Sequence, residues 1–263
     1  MGKRNFIIAD IHGCYDGLLS SLEKAGYDPS NPNHQLYVLG DSFGRSDRSP
    51  DNSGSLNVYK YLISDEHKNP PKVIFGNHEN IFLKMFDRMD FDYIDARNGE
   101  VKTLASFAGL TTEELIFGGP QWAFNQPIVG EIAKWMRSLP FYYDLEGGFR
   151  LFHGWQPDND GRLMKNPANV SYKRWVSATW AHTEDKIEKL VEKYPNGWEK
   201  TLVFGHWHAR QLRQHWPDGN EDIDGIWYDR QHKLIGLDPC SYYSQKVNVL
   251  IIKDGKIMNE ELQ

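Results

Sequence analysis

Cysteine is scarce in this chain: Cys14 and Cys240 are the only two in 263 residues. They form no CxxC pair and no zinc-finger spacing, which excludes a disulfide scaffold and leaves two reduced thiols. No apolar run reaches the ~18 residues a membrane span needs, and the first residues lead into a short apolar stretch without a signal-peptide core. A cytoplasmic protein with no membrane partner is expected. Basic runs are missing too. With a net charge of −6, extended nucleic-acid binding is not expected. No repeat or low-complexity segment appears, and nothing signals a partner copy, so the expectation is a monomer. What the chain does have is bulk: 13 Phe, 13 Tyr and 9 Trp within a composition that is 40% hydrophobic and 25% charged. That suits one large soluble domain, residues 1–263, carrying an insertion.

The first 90 residues alternate period-two and helical patterns. Apolar strands are expected over 5–9, 35–39 and 72–75. Helical spacing covers 16–25, 55–63 and 78–89. This order predicts an α/β core that begins with parallel strands. Residues 91–140 read as a largely helical cap or insertion, edged by Gly118-Gly119-Pro120 and Pro127. Segments 141–144 and 149–152 predict a strand pair turned at Gly147-Gly148. A helix over 185–194 and a buried strand over 201–204 follow. The tail predicts antiparallel strands over 234–237 and 247–252, then a turn at Asp254-Gly255.

The chemistry sits where the apolar runs stop. FIIA ends at Asp10, with His12 beyond it. YVLG ends at Asp41, VIFG at Asn77-His78-Glu79, RLF at His153, and LVFG at His206, with His208 beyond. Ligands of open α/β sheets bind outside the carboxyl ends of the strands. Any one of these residues has an ordinary reading: a lone histidine is usually just hydrogen-bonded, and Asp or Asn after a strand commonly caps a helix. Asp16 is read that way. Five strand ends presenting oxygen and imidazole donors together predict a metal site. Mixed donors suit Mn²⁺, Fe or Zn²⁺ better than an all-oxygen magnesium site.

These motifs resemble the calcineurin-like metallophosphoesterases, and within them the phosphoprotein-phosphatase branch, which includes bacterial diadenosine tetraphosphatases. Asp10-Ile11-His12-Gly13 is similar to the family's D-x-H-G, Gly40-Asp41 opens its G-D segment, and Gly76-Asn77-His78-Glu79 is its G-N-H-E. Phe152-His153-Gly154 and Gly205-His206-Trp207-His208 resemble its H-G and G-H-x-H elements. The resemblance implies a β-sandwich core flanked by helices and two divalent metal ions, with manganese the first choice. The first ion would take Asp10 and His12, the second Asn77, His153 and His206, and Asp41 would bridge. His208 would join the first ion in relatives with G-H-x-H, and would be an outer histidine otherwise. His78 would act as general acid or stabiliser of phosphoryl charge, and Glu79 would orient neighbours or cap the following helix.

One departure stands out. Asp41-Ser42-Phe43-Gly44-Arg45 has Gly44 where the family places the Asp that orients its catalytic histidine, so His78 either lacks that carboxylate partner or takes it from elsewhere, Asp47 on the following loop being one candidate. Arg45 is the candidate phosphate fork, with Arg48 as alternative. Arg162, Arg174 and His182 stand where relatives carry a second substrate arginine, and are read as surface residues. The activity implied is hydrolysis of phosphate monoesters by metal-activated water, as in Ser/Thr protein phosphatases. The partner would be a phosphoprotein, a small phosphate ester or a nucleotide. The alternative is a dinucleoside tetraphosphate hydrolase, in which Trp155 or Trp207 would stack on adenine unless they are core. Two divalent ions less the charges of Asp10 and Asp41 leave about two positive charges, matching a phosphate dianion.

Overall fold

The computed structural model describes residues 2–45, 52–181 and 183–259. The amino-terminal third alternates as expected: β1 (Arg4–Ile8), α1 (Tyr15–Lys24), β2 (His34–Val38), α2 (Gly54–Leu62), β3 (Lys72–Val73) and α3 (Asn77–Arg88). The insertion is helical throughout, as α4 (Tyr93–Asn98), α5 (Glu100–Ala108), α6 (Thr112–Gly118), α7 (Pro120–Phe124) and α8 (Pro127–Ser138). After it come β4 (Tyr142–Leu145), β5 (Phe149–Phe152), a small hairpin of β6 (Asp158–Asn159) and β7 (Arg162–Leu163), then α9 (Tyr172–Thr179) and α10 (Thr183–Lys193). The chain closes through β8 (Thr201–His208), α11 (Ala209–His215), β9 (Trp227–Asp229), β10 (Leu234–Asp238), α12 (Ser241–Ser244), β11 (Leu250–Lys253) and β12 (Lys256–Ile257).

The strands form two five-stranded sheets, ordered β12-β11-β1-β2-β3 and β4-β5-β8-β10-β9. β1, β2 and β3 run parallel, as do β5, β8 and β10. Period-two alternation sorts the side chains of each strand into separate layers. Ile7, Ala9, Tyr37 and Leu39 of the first sheet share a core with Leu151, Val203, Ile235 and Leu237 of the second, which makes the pair a sandwich. Phe6, Ile8, Leu36 and Val38 face the other way, onto α1, α2, α3 and the insertion. Phe152, Leu202, Phe204 and Leu234 pack against α10 and α11. The result is the expected mixed α/β sandwich flanked by helices.

Two expectations need correcting. The tail strands are antiparallel only in part: β10 lies antiparallel to β9 but parallel to β8 in the second sheet, whereas β11 lies antiparallel to β1 and β12 in the first. The third strand is also shorter than 72–75, although Ile74 N–H still donates to Val38 O at 2.8 Å. Among the described residues, no helix is long and apolar enough to cross a membrane.

Candidate functional site

Parallel strands fix where their ends fall. β1 and β2 pair in register from Arg4–His34 to Ile8–Val38, so the segments after them leave the sheet side by side. Asp10 N–H donates to Gly40 O, His12 N–H to Asp41 O and Gly13 N–H to Ser42 O, at 3.0–3.2 Å. In the second sheet, Gly205 N–H donates to His153 O at 2.9 Å. The two sheets are tied at this edge, because His206 N–H donates to both carboxylate oxygens of Asp10, at 3.0 and 2.9 Å. Asp10, His12, Asp41 and His206 all adopt positive φ, between 49° and 64°. Left-handed backbone is uncommon outside glycine, and the concentration of four such residues at three strand ends points to a functional constraint.

Two groups of donor atoms lie within 4.8 Å of one another among the described residues: His12, Asp41 and His78, and Asp41, His153 and His206. Asp41 belongs to both. Asn77 joins the second group, its Oδ1 2.7 Å from His153 Nε2. His12 holds Nδ1 3.1 Å from Phe43 O, and His153 holds Nδ1 2.7 Å from Leu39 O. With its Nδ1 proton committed to a carbonyl, His12 presents the bare Nε2 that a metal needs, whereas His153 turns Nε2 onto Asn77 and Asp41. Burial would lower the pKa of His153, but Asp41 outweighs burial and raises it. Glu79 accepts from Gly76 and Asp41 N–H through Oε2 and from Ser42 N–H through Oε1, at 2.9–3.0 Å. It thus caps α3 and braces the loop carrying Asp41. Cys14 rather than Asp16 is the cap residue of α1, and Asp16 lies in the first turn.

The electrostatics favour cations here. Burial, then Asp238 and Asp41, raise the Asp10 carboxyl well above its usual range. Burial would also raise Asp41, but His153 and His78 outweigh it and hold Asp41 well below that range. Burial, then His78, lower His12 far down, and burial, then His153, lower His206 to about 3. Buried carboxylates that repel one another, beside His12 and His206 kept neutral, form a donor set that fits divalent ions. Arg45 is exposed, and its charge opposes protonation of His12, His78 and His206.

Several sequence candidates fall elsewhere. His208 lies in neither donor group; its Nε2 is 3.7 Å from Asp238 Oδ2. Trp155 is 1% exposed and belongs to the core under the second sheet, so it cannot stack on a substrate base. Trp207 is half-buried, its indole N–H donating to Ala181 O at 3.1 Å. Arg174 donates to Asp158 O and Asn159 Oδ1 and braces the β6–β7 hairpin, while Arg162 is exposed on β7. Asp47, Arg48 and His182 lie outside the described residues.

Two buried acids at the site escaped the sequence reading. Asp238 ends the apolar run of β10, so the strand-end signal, pursued one strand further, would have found it. Ser241 follows it and donates its hydroxyl to Asp10 O at 2.6 Å. Glu100 carries no such signal. It opens α5 in the insertion, and its Oε1 lies 2.7 Å from His78 Nδ1. Burial pushes the Glu100 carboxyl up to about 7, against the pull of His78. Burial opposes charge on His78, but Asp41 and then Glu100 prevail and raise its pKa.

Comparison with known proteins agrees with this arrangement. The family described as calcineurin-like phosphoesterase matches residues 4–210. The symmetrical bis(5'-nucleosyl)-tetraphosphatase of Serratia proteamaculans (strain 568) is 33% identical over 297 aligned positions, covering 95% of this chain and 96% of its own. The asymmetrical bis(5'-nucleosyl)-tetraphosphatase PrpE of Bacillus subtilis (strain 168) is 30% identical, over 79% of this chain and 80% of its own. A crystal structure of a candidate diadenosine tetraphosphatase superposes with a TM-score of 0.54 at 19% identity, covering 98% of this chain and 93% of that one.

Proposed function

Because the chain belongs to the calcineurin-like phosphoesterases, and is therefore a hydrolase acting on phosphate esters, we propose that it is a dimetal enzyme whose substrates are dinucleoside polyphosphates. The observation carrying the substrate class is the 33% identity to a tetraphosphatase over nearly the full length of both chains. That likeness includes the tail with Asp238 and Ser241, beyond the matched family segment. It moves the nucleotide reading ahead of the phosphomonoesterase reading that the G-N-H-E motif favours.

In this reading Asp10 and His12 would hold one divalent ion, Asn77, His153 and His206 would hold the other, and Asp41 would serve both. The two donor groups support Asp41 as the shared residue, with His12 on one side and His153 and His206 on the other; Asp10 lies in neither group, and its place in this reading comes from the family resemblance. His208, beside Asp238, steadies the Asp10 side from outside or completes it. Bound there, the ions would supply acidification of water and neutralisation of phosphoryl oxygens. Everything else is done by the chain. Arg45 offers a guanidinium fork to the phosphoryl oxygens that do not react. His78 stands beside the leaving oxygen and gives it a proton as the P–O bond breaks. The rigid strand ends hold these groups in place before substrate arrives, so little reorganisation is needed during reaction.

A substrate panel with Mn²⁺ tests the proposal: diadenosine tetraphosphate, a phosphoserine peptide, an aryl phosphate monoester and the corresponding diester. The tetraphosphate should give the highest kcat/KM, by about tenfold or more. A phosphoserine peptide or aryl monoester in first place would return the enzyme to the phosphomonoesterases, and no turnover with any substrate or divalent ion would end the dimetal reading.

A further inference from the structure

We propose that Glu100, supplied by the helical insertion, is the carboxylate that positions His78, and that Gly44 is what makes room for it. The idea rests on the reading of His78 as proton donor to the leaving oxygen.

Both partners are out of solvent: Glu100 is 0% exposed and His78 is 2%. The 2.7 Å contact between Glu100 Oε1 and His78 Nδ1 commits the Nδ1 proton to the carboxylate. Nε2 is then the nitrogen left for the site, 4.0 Å from Asp41 Oδ2. A histidine held at Nδ1 by a carboxylate keeps one tautomer and one ring orientation. The other carboxylates near His78 are spoken for. Asp41 Oδ1 accepts the His78 backbone N–H at 2.9 Å, and Glu79 is occupied by three backbone N–H groups.

Position 44 explains how a residue 22 positions beyond His78 can reach it. Gly44 has φ +86°, and a Cβ there would stand 2.2 Å from His78 Nδ1 and 2.7 Å from Glu100 Oε1. A side chain at 44 and a carboxylate from 100 would occupy the same space. The chain has the carboxylate from the insertion and nothing at 44.

The backbone fixes that register. Arg45 N–H donates to Asn98 O at 2.6 Å, and Gly44 N–H donates to Thr103 Oγ1 at 3.1 Å. Gly99 packs so closely that a Cβ would meet Arg45 O at 2.0 Å. The loop after Asp41 and the α4–α5 junction are therefore laced together on both sides of Glu100. Its second oxygen, Oε2, is buried with no hydrogen-bond partner among the described residues. A buried carboxylate with an unmatched oxygen costs stability, so packing alone does not account for it. The neutral isostere would suit a structural role at least as well, and that separates the two explanations.

The test is Glu100→Gln in the full chain with Mn²⁺, assayed with one aryl phosphate of good leaving group and one alkyl phosphate of poor leaving group. The proposal expects a kcat loss of about ten- to a hundredfold on the alkyl ester and a smaller loss on the aryl ester, with KM and bound metal little changed. The thermal midpoint should hold or rise. Glu100→Gln combined with His78→Asn should lose no more than His78→Asn alone. Unchanged turnover, equal losses on both esters, or an additional loss in the double variant would each overturn it. Proton NMR of the metal-free protein reads the pair without catalysis. A deshielded imidazole N–H should be absent in His78→Asn and move upfield in Glu100→Gln, and a resonance indifferent to Glu100→Gln would overturn the proposal. If the parent chain hydrolyses no phosphate at all, the proposed function has failed, and the NMR result still decides whether the pair exists.

Discussion

At the scale of single residues, the site depends on what stands one or two positions past an apolar run. Asp10, His12, Asp41, Asn77, His153 and His206 were legible because an acid, amide or imidazole immediately after a buried strand is a pattern that sequence retains. Asp238 follows the same pattern and was passed over only because its strand was read as part of the tail. Glu100 was not legible at all: its link to His78 depends on a glycine at 44 and on the packing of an insertion, neither of which leaves a periodic trace. The named residues separate by role. Asp41→Asn removes charge shared by both donor groups, so it should abolish most turnover and lower bound metal measured by atomic emission. His78→Asn should lower kcat by about a hundredfold or more while metal content stays at the parent level. Full turnover in Asp41→Asn, or metal loss in His78→Asn, would reassign those residues.

At the scale of elements, helices and parallel strands were readable from spacing, and their partners were not. The alternation along β1 and β2 announces two buried faces, but nothing in 234–237 and 247–252 says that the first joins β8 and the second joins β1. Pairing of strands more than two hundred residues apart, such as β1 and β11, is settled by the whole fold. A local packing feature gives a check on the first layer. His67, 5% exposed, accepts Tyr27 O–H at Nδ1 (2.9 Å) and donates from Nε2 to Tyr61 O (2.8 Å), linking the turn after α1 to α2. Burial lowers its pKa. The neutral ring is therefore favoured in the folded state. The contribution is fully present above the unfolded value of about 6.5, and it is lost as pH falls from there toward the lowered folded value. The urea midpoint should drop between about pH 7.5 and pH 5.5, and His67→Gln should show a smaller drop. An equal drop in both proteins would show that His67 does not couple stability to pH.

At the scale of the whole molecule, the account is one of convergence. Two sheets share a core of Ile7, Leu39, Val203 and Leu237, and this brings the carboxyl ends of their parallel strands to one edge. The sandwich itself came from the family resemblance, since alternation along one strand does not say which sheet will cover it. A net charge of −6 is no obstacle to an anionic substrate when buried acids are gathered where divalent ions would bind and the charge of Arg45 reaches the same cluster. The insertion also gains meaning at this scale: the sequence marks it only as a helical cap, and in the structure it is laced to the loop beside Asp41.

The most direct measurement is a titration of metal-free protein with Mn²⁺, at protein concentrations well above the dissociation constant, following hydrolysis of diadenosine tetraphosphate. Activity should rise from zero and break at about two ions per chain, as two sites sharing one bridging carboxylate require. Turnover that is complete before any ion is added, or that saturates at about one, would contradict the dimetal centre.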